Sequence, residues 1–371
     1  ACEMARLNDA ALLLVAGGKS SRMGQDKRWA ALGDTALLAR LAQKADRIPF
    51  AERLLCVERE TPALLRLAGQ HGMRLVCDER QEAGPMEGLR RGLSAMGTDW
   101  GLAVSCDMPF FAFEAACDLL SAAQESPAAC AVLPVQGRRW QPLAALYHRG
   151  LAAVFLAALA RGERKIRAAA SGAAHVLVPF DEARESLFFN VNTPADLRLA
   201  AGRIANEGRR VPLVTVSAPQ SGTGKTTFIE RVLPILAAAG IRAGVVKGDA
   251  HGYHLDRKGK DSDRFRAAGA RATAVVSPSG YFIEQRTETR ESLAAVAARL
   301  KDVDLVLIES RNHGTAPILS LCRGKGEPIV TDEVAAAFAK SERQIPVEGV
   351  RVFDLDDREA AARTIRFLAC R

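Results

Sequence analysis

The loop Val15-Ala16-Gly17-Gly18-Lys19-Ser20-Ser21-Arg22-Met23-Gly24-Gln25-Asp26-Lys27 and the loop Ser221-Gly222-Thr223-Gly224-Lys225-Thr226-Thr227 each follow directly on a short apolar run. A buried strand that runs into glycines lets backbone amides approach a polyphosphate closely, because glycine has no Cβ to obstruct contact and tolerates unusual dihedrals. Two such loops about half a chain apart imply two nucleotide-handling domains in one polypeptide. They differ chemically: the first carries Arg22 and ends in Lys27, whereas the second has the Gly-Lys-Thr signature of a P-loop. One nucleotide is therefore expected to be transferred and another bound or hydrolysed.

Outward from the first loop, apolar runs alternate with helix-like segments. Ala11–Ala16, Arg53–Val57, Arg74–Cys77, Gly101–Cys106 and Cys130–Val135 read as buried strands, with helices near Ala36–Ala45 and Pro62–His71. This alternation predicts a Rossmann-like α/β domain, a mostly parallel sheet with helices on both faces. Leu143–His148, Ala174–Pro179 and Phe188–Val191 follow as closely spaced strands and suggest a mixed edge. Thr193 then caps a helix from Pro194 to about Ile204. The expected layout is a first domain over 1–205, a polar linker over 206–210 and a second domain over 211–371. In the second, Val211–Ser217, Ala243–Lys247, Leu305–Glu309, Ile318–Leu321 and Val350–Leu355 read as strands, and Lys225–Ala239 and Asp356–Ala369 as helices, which makes a P-loop NTPase α/β domain.

A length of 371 residues fits that count at about 150 residues per domain. The net charge of +8 would suit a nucleic-acid binder, but the basic residues are interleaved with Asp and Glu and only 5% of residues are aromatic, so phosphorylated small ligands are the expected partners. The 8 cysteines form no C-x-x-C pair, which predicts reduced thiols and a cytoplasmic setting. No apolar stretch reaches the ~18 residues of a membrane span and the N-terminus lacks a signal-peptide layout, so a soluble protein without membrane contact is expected.

The strand Gly101–Cys106 ends in Asp107-Met108-Pro109, a carboxylate at the C-terminal end of a buried strand, where ligands gather in open α/β sheets. Such an Asp suits Mg²⁺ held against a triphosphate, with capping of a following helix as the competing role. Taken whole, Ala16-Gly-Gly-x-Ser-x-Arg-Met-Gly-x-Asp-Lys27 resembles the signature loop of the molybdenum cofactor guanylyltransferases, the MobA family. Asp78 with Gly84-Pro85-Met86-Glu87-Gly88, Cys106-Asp107-Met108-Pro109, Gln141-Pro142-Leu143-Ala144-Ala145 and Asn190-Val191-Asn192-Thr193-Pro194 resemble further motifs of that family, in order, over roughly Ala10 to Ala201. Glu87 departs from the pattern, which has a small residue there. The resemblance implies that Val15, Ala16, Gly17, Gly18 and Lys27 hold GTP phosphates, that Asp78 and Gly88 contact the nucleoside, and that Asp107 binds Mg²⁺. It makes Arg22, Lys27 and Asp107 the catalytic set and turns Gln141, Pro142, Asn190 and Asn192 toward Mo-molybdopterin. The implied reaction is transfer of GMP from GTP to the terminal phosphate of molybdopterin with release of pyrophosphate. A phosphate monoester is already an anion at neutral pH, so alignment and charge neutralisation suffice without a general base. His71, His148 and His175 are accordingly read as surface or packing residues. A molybdopterin cytidylyltransferase is the neighbouring reading.

Gly222–Thr227 follows a strand and opens a helix, the context a Walker A loop requires. Residues Ser221 to Thr227 would cradle phosphate, with Lys225 on the β and γ oxygens and Thr226 on Mg²⁺. Glu309, closing Leu305–Glu309, reads as the second-strand acid that contacts metal or water, a structural strand-end Glu being the alternative. Lys247, His251, Asp256 to Ser262, Arg266 to Ala270 and Phe353 to Asp357 resemble the run of motifs in the MobB family. Pro219, Gly248, Lys258 and Ser310 depart from it. This resemblance implies a GTP-binding P-loop domain that assists cofactor biosynthesis or delivery, either hydrolysing GTP or acting as a non-hydrolytic adaptor. It implies apo-molybdoenzymes or their chaperones and the molybdate-inserting enzyme as protein partners, and admits a homodimer through the C-terminal domain.

Overall fold

The computed structural model describes residues 4–17, 23–24, 26–220, 222–248, 264–265, 267–311, 315–324, 330–340 and 349–370. The chain forms two compact units, 1–200 and 201–371.

In the first unit the main strands are β1 (Ala10–Val15), β2 (Glu52–Val57), β3 (Arg74–Cys77), β4 (Trp100–Ser105), β5 (Ala131–Gln136), β6 (Ala144–His148) and β7 (His175–Pro179), in the order β7-β5-β6-β4-β1-β2-β3. β1 is parallel to β2 and β4, β2 to β3, and β7 to β5, whereas β6 is antiparallel to both neighbours. The antiparallel element thus lies inside the sheet and not at its edge. Phe188–Val191 is not a strand: Glu182–Phe188 is a 3₁₀ helix, and the Phe188 ring packs against Phe111 and Phe180. Its apolar side chains fill the core without entering the ladder.

All six residues of β1 are buried. A strand covered on both faces needs no polar alternation, which is why it reads as a continuous apolar run. Leu12 and Leu14 join the core that includes Leu38 and Leu41 of α1 (Leu37–Ala45), Leu64 of α2 (Pro62–Gln70) and Leu119 of α4 (Ala116–Glu125). Ala11 and Leu13 point the other way, to Met86 and Leu89 of α3 (Pro85–Ala95) and Phe155 of α5 (Leu151–Ala160). Each buried Leu contributes about 2 kcal/mol before chain entropy is set against it. α3 approaches β1 and β2 closely because Gly92 lacks a side chain: a Cβ there would stand 2.8 Å from Cys56 Sγ and 3.2 Å from Leu13.

The second unit contains the last turn of α6 (Pro194–Ile204), with strands β8 (Leu213–Ala218), β9 (Ala243–Lys247), β12 (Leu305–Arg311), β13 (Ile318–Cys322), β14 (Val334–Ala339) and β15 (Arg351–Asp354), and with helices α7 (Lys225–Ala238) and α8 (Arg358–Ala369). The sheet is parallel throughout, in the order β9-β12-β8-β13-β14-β15. A separate antiparallel hairpin, β10 (Ala272–Ser277) and β11 (Gly280–Gln285), exposes Val276, Tyr281 and Ile283. β14 is Ala-rich and poor in intrinsic strand preference, yet every residue in it is buried. Its small side chains permit close packing: a Cβ on Gly202 would stand 2.7 Å from Ala335 Cβ. Asn206 is buried and ties the entry to β8, its amide nitrogen donating to the Leu213 and Leu368 carbonyls and its oxygen accepting from Leu213 N–H.

Candidate functional site

The strand order fixes where the first unit can bind a ligand. From β1 the chain adds β2 and then β3 on one side, while β4 returns to the other side of β1. This reversal opens a crevice beyond the C-terminal ends of β1 and β4, the usual binding position in such sheets. Ala16 and Gly17 leave β1 there, with Ala16 N–H donating to the Cys56 carbonyl and Cys106 N–H donating to the Val15 carbonyl. Asp107 follows β4 into the same crevice. Lys27 enters from a 3₁₀ turn capped by the Asp26 carboxylate. Its Nζ donates to Asp107 Oδ2 at 2.7 Å, with side-chain exposures of 18% and 8%. Burial opposes the Lys27 charge, but the carboxylate of Asp107 outweighs it and holds the ammonium above its usual range.

The second carboxylate oxygen decides what Asp107 can do. Oδ1 is buried with no hydrogen-bond partner. One oxygen therefore engages Lys27 while the other stays open to a hard cation, a donor set that fits Mg²⁺ together with phosphate oxygens. Asp107 also anchors the Asn190–Asn192 segment, since Val191 N–H donates to the Asp107 carbonyl at 2.8 Å. Asn190 itself donates to the Phe188 carbonyl, and Asn192 N–H donates to the Asp196 carboxylate. Thr193 Oγ1 accepts from Asp196 N–H, the cap expected from the sequence. Gln141 is buried, with Nε2 donating to Gln136 Oε1, and the Pro142 carbonyl accepts from Tyr147 OH. Leu143, next in chain, accepts through its carbonyl from Ser105 N–H at the end of β4.

On the other side of β1, Asp78 leaves β3 with its N–H donating to the Val57 carbonyl. A Cβ on Gly17 would lie 3.8 Å from Asp78 Oδ2 and one on Gly88 would lie 3.6 Å from Oδ1, so these two glycines flank the carboxyl. Burial, then Glu87 and Glu58, push the Asp78 carboxyl up to about 7. Glu87 is fully buried and closed into an ion pair with Arg90 on the next turn of α3. Gly84, at φ 74, starts that helix ahead of Pro85.

The crevice thus gathers Val15, Ala16, Gly17, Lys27 and Asp107, with Asp78 and Gly88 beyond β1 and the Asn190–Asn192 segment attached at Asp107. Gly18 and Arg22 lie outside the described residues. The described histidines are elsewhere: His148 packs edge-on to Trp100 at the opposite end of β4, His175 packs at a tilt against Trp140, and His71 pairs with Asp46. Sequence reasoning missed Lys44, whose Nζ donates to the Phe111 carbonyl at 2.5 Å and so secures the turn after Asp107. It also missed Glu79 and Arg90; an Arg three residues after Glu87 on a helix was the available signal.

In the second unit, Gly222 and Gly224 adopt φ 76 and 97, which the turn into α7 requires. Lys225 Nζ and Thr223 Oγ1 both donate to the Gln220 carbonyl, at 3.2 and 2.8 Å. Burial lowers the Lys225 ammonium below its usual range, partly offset by Glu309. Thr226 Oγ1 lies 3.0 and 3.1 Å from the two Glu309 carboxylate oxygens, so the P-loop hydroxyl and the β12 acid meet where a divalent cation would be held. Thr227 follows on the same turn. Gly248 fits because a Cβ there would meet Leu293 at 3.1 Å, and Ser310 continues the buried strand beside Ser217. Pro219 directly follows β8, and nothing in the structure explains the choice of Pro. Ser221, His251, Lys258 and Arg266 lie outside the described residues. Arg323 was not anticipated: its guanidinium covers Gly224, 3.1 to 3.3 Å from where a Cβ would stand.

The family described as the MobA-like NTP transferase domain matches residues 12–176, and that described as molybdopterin guanine dinucleotide synthesis protein B matches residues 213–340. A molybdenum cofactor guanylyltransferase of Vibrio cholerae is 30% identical over 198 residues, covering 51% of this chain and 90% of the relative. A molybdopterin-guanine dinucleotide biosynthesis adapter protein of Escherichia coli is 35% identical over 161 residues, covering 41% of this chain and 90% of the relative. The chain belongs to both families. A third relative, a molybdenum cofactor guanylyltransferase of Burkholderia ambifaria, is 34% identical over 201 residues, covering 52% of this chain and 95% of its own. The MobA-like NTP transferase match falls on the unit that carries Lys27 and Asp107, and the MobB match falls on the unit that carries the P-loop.

Proposed function

We propose that the chain transfers GMP from GTP to the terminal phosphate of Mo-molybdopterin, forming molybdopterin guanine dinucleotide and releasing pyrophosphate, with the MobB-like unit as a fused GTP-binding partner. The carrying observation is the Lys27–Asp107 pair at the strand-order reversal, with one buried carboxylate oxygen left unpaired. The phosphate oxygen of molybdopterin bonds to the α-phosphorus of GTP as the bond to the β,γ-diphosphate breaks. No proton need be removed from the nucleophile. Lys27 supplies fixed positive charge at the triphosphate, and the amides of Gly17 and Gly18, beyond the Ala16 N–H that is spent on the Cys56 carbonyl, donate to phosphate oxygens. Arg22 adds a second cation in this assignment. Mg²⁺ held by Asp107 would supply charge neutralisation for the departing pyrophosphate. Asp78 and Gly88 face the nucleoside. Gln141, Pro142, Asn190 and Asn192 face the pterin, a role supported by the Val191–Asp107 hydrogen bond that joins their segment to the metal ligand. Two of the relatives named above are guanylyltransferases, which favours GTP over CTP.

In the second unit, Ser221 to Thr227 bind nucleotide, and Thr226 with Glu309 hold its Mg²⁺. The adaptor role, handing finished cofactor to apo-molybdoenzymes or their chaperones in concert with the molybdate-inserting enzyme, belongs to the same reading. So does a homodimer through this unit, supported by the exposed Val276, Tyr281 and Ile283 of the β10–β11 hairpin. No helix among the described residues is long and apolar enough to cross a membrane, and the described cysteines are free thiols, which supports a cytoplasmic site. The test is pyrophosphate release from GTP on adding Mo-molybdopterin. Release that requires the pterin in wild type and falls at least about a hundredfold in Lys27→Met is expected; release indifferent to the pterin contradicts the proposal.

A further inference from the structure

The backbone around Asp78 is gripped from both sides by charged groups that the transfer chemistry does not use. Glu87 Oε1 accepts from Glu79 N–H at 3.1 Å and from Arg90 Nη2 at 2.8 Å, while Oε2 accepts from Arg90 Nε at 2.8 Å. Arg90 Nη2 also donates to Glu79 Oε2 at 2.7 Å. Arg91 pairs with the other oxygen of Glu79 and donates through Nε to the Cys77 carbonyl at 2.9 Å. Asp78 therefore sits between two fixed residues, Cys77 and Glu79, both tied to side chains of α3. Its Oδ1 is buried without a partner beside the side-chain-free face of Gly88, while Oδ2 lies toward Gly17.

A buried acceptor without a donor costs free energy, and a buried Glu–Arg pair is no stability gain by itself. Both are accounted for if the cluster exists to hold an acceptor ready for a ligand. We propose that Glu87, acting through Arg90 and Glu79, is a positioning residue that fixes Asp78 so that its free oxygen meets an N–H or O–H donor of the nucleoside. This rests on the guanylyl-transfer reading of the first unit.

The electrostatics give a signature that packing alone would not. Among the described residues, the groups acting on Asp78 are Glu58 beyond β2, and Glu87, Arg90 and Arg91 on α3, with the Cys56 and Cys77 thiols adjacent. Burial with Glu87 and Glu58 raises the carboxyl, and the two arginines oppose them. An ionised Asp78 accepts a donor better than a protonated one, so the KM for GTP should fall as pH rises through about 7. Glu87→Gln keeps an oxygen for Glu79 N–H but removes the negative charge, which moves that midpoint to lower pH.

The experiment measures dinucleotide formation against GTP concentration between pH 5.5 and 8.5 in the full chain and in Glu87→Ala and Glu87→Gln, with thermal unfolding of each. For Glu87→Ala, KM for GTP is expected to rise about three- to tenfold, with kcat changed by less than about twofold. Glu87→Gln should still unfold cooperatively, at a lower temperature than wild type because Arg90 loses a buried counter-charge, and should shift the KM midpoint to lower pH. Inosine triphosphate, which lacks the exocyclic amino group, and 2′- and 3′-deoxy-GTP, which lack one hydroxyl each, identify the donor: the analogue missing it loses its sensitivity to Glu87→Ala. Unchanged KM in Glu87→Ala, or an unmoved midpoint in Glu87→Gln, overturns the positioning role while leaving guanylyl transfer standing. A wild-type chain that forms no dinucleotide overturns the reading beneath it.

Discussion

Asp107→Asn separates structure from chemistry at the centre of the first unit. The substitution is nearly isosteric and removes one charge from a pair whose atoms are 2.7 Å apart and mostly shielded from water. Breaking a buried pair by removing one partner costs about 3–5 kcal/mol, chiefly because the remaining charge stays buried. Two features reduce this: Lys27 retains 18% exposure, and the Asn carbonyl oxygen can still accept from Nζ. A loss of about 2 kcal/mol is expected, which for a unit of this size lowers Tm by about 4–8 °C. The catalytic loss should be far larger than the folding loss. A neutral amide would hold Mg²⁺ only weakly, which leaves the triphosphate charge without that counter-ion, so the transfer rate should fall by about 10²–10³. Thermal unfolding and dinucleotide synthesis at saturating GTP and Mg²⁺, run on one preparation, measure both. A variant that melts several degrees lower yet transfers at near wild-type rate would make Lys27–Asp107 a structural pair and refute the assignment.

Asp78 carries a carboxyl raised from 3.8 to about 7, so the folded state holds its proton more tightly than the unfolded one. Its contribution to stability is full below about pH 4 and is lost as pH rises through about 7. At about 1.4 kcal/mol per tenfold the loss is at most about 4 kcal/mol, and solvent access to the partly open carboxyl reduces it to about 1–2 kcal/mol. Asp78→Asn is therefore expected to unfold at higher urea than wild type at pH 8 and at equal urea near pH 4; a variant less stable at pH 8 contradicts this. Gly92→Val forces side-chain atoms against Cys56 Sγ and Leu13, and should cost about 1–3 kcal/mol by urea unfolding. Lys225→Ala should abolish GTP binding to the second unit, read by calorimetry, while guanylyl transfer persists; loss of transfer would mean that the units are catalytically coupled.

The strands that lead into the two glycine loops were legible because their signals are contiguous: an apolar run that stops at glycines and a cation marks where a buried strand ends. The place of Asp107 was legible for a related reason, since the apolar run before it marks the strand that it ends. What escaped the sequence depends on tertiary placement. Glu87 reads as an intruder in a glycine-rich segment, and only the docking of α3 reveals that its charge closes on Arg90 and holds Glu79. The strand β14 is built from Val-Ala-Ala-Ala-Phe-Ala, whose local preference is helical; burial on both faces and close packing at Gly202 override it. Phe188–Val191 misled in the opposite direction, because an apolar run can be buried as irregular chain when its rings fill a core, as Phe188 does against Phe111 and Phe180. Arg323 at Gly224 is a contact between distant segments that no local pattern announces.

The most direct test of the central claim is the identity of the nucleotide product. The full chain is incubated with Mo-molybdopterin, Mg²⁺ and each of the four ribonucleoside triphosphates in turn, and the pterin product is analysed by mass spectrometry. Molybdopterin guanine dinucleotide with one equivalent of pyrophosphate is expected from GTP, and little or no dinucleotide from the others. A cytosine dinucleotide as the main product, or unaltered molybdopterin in every reaction, would contradict it.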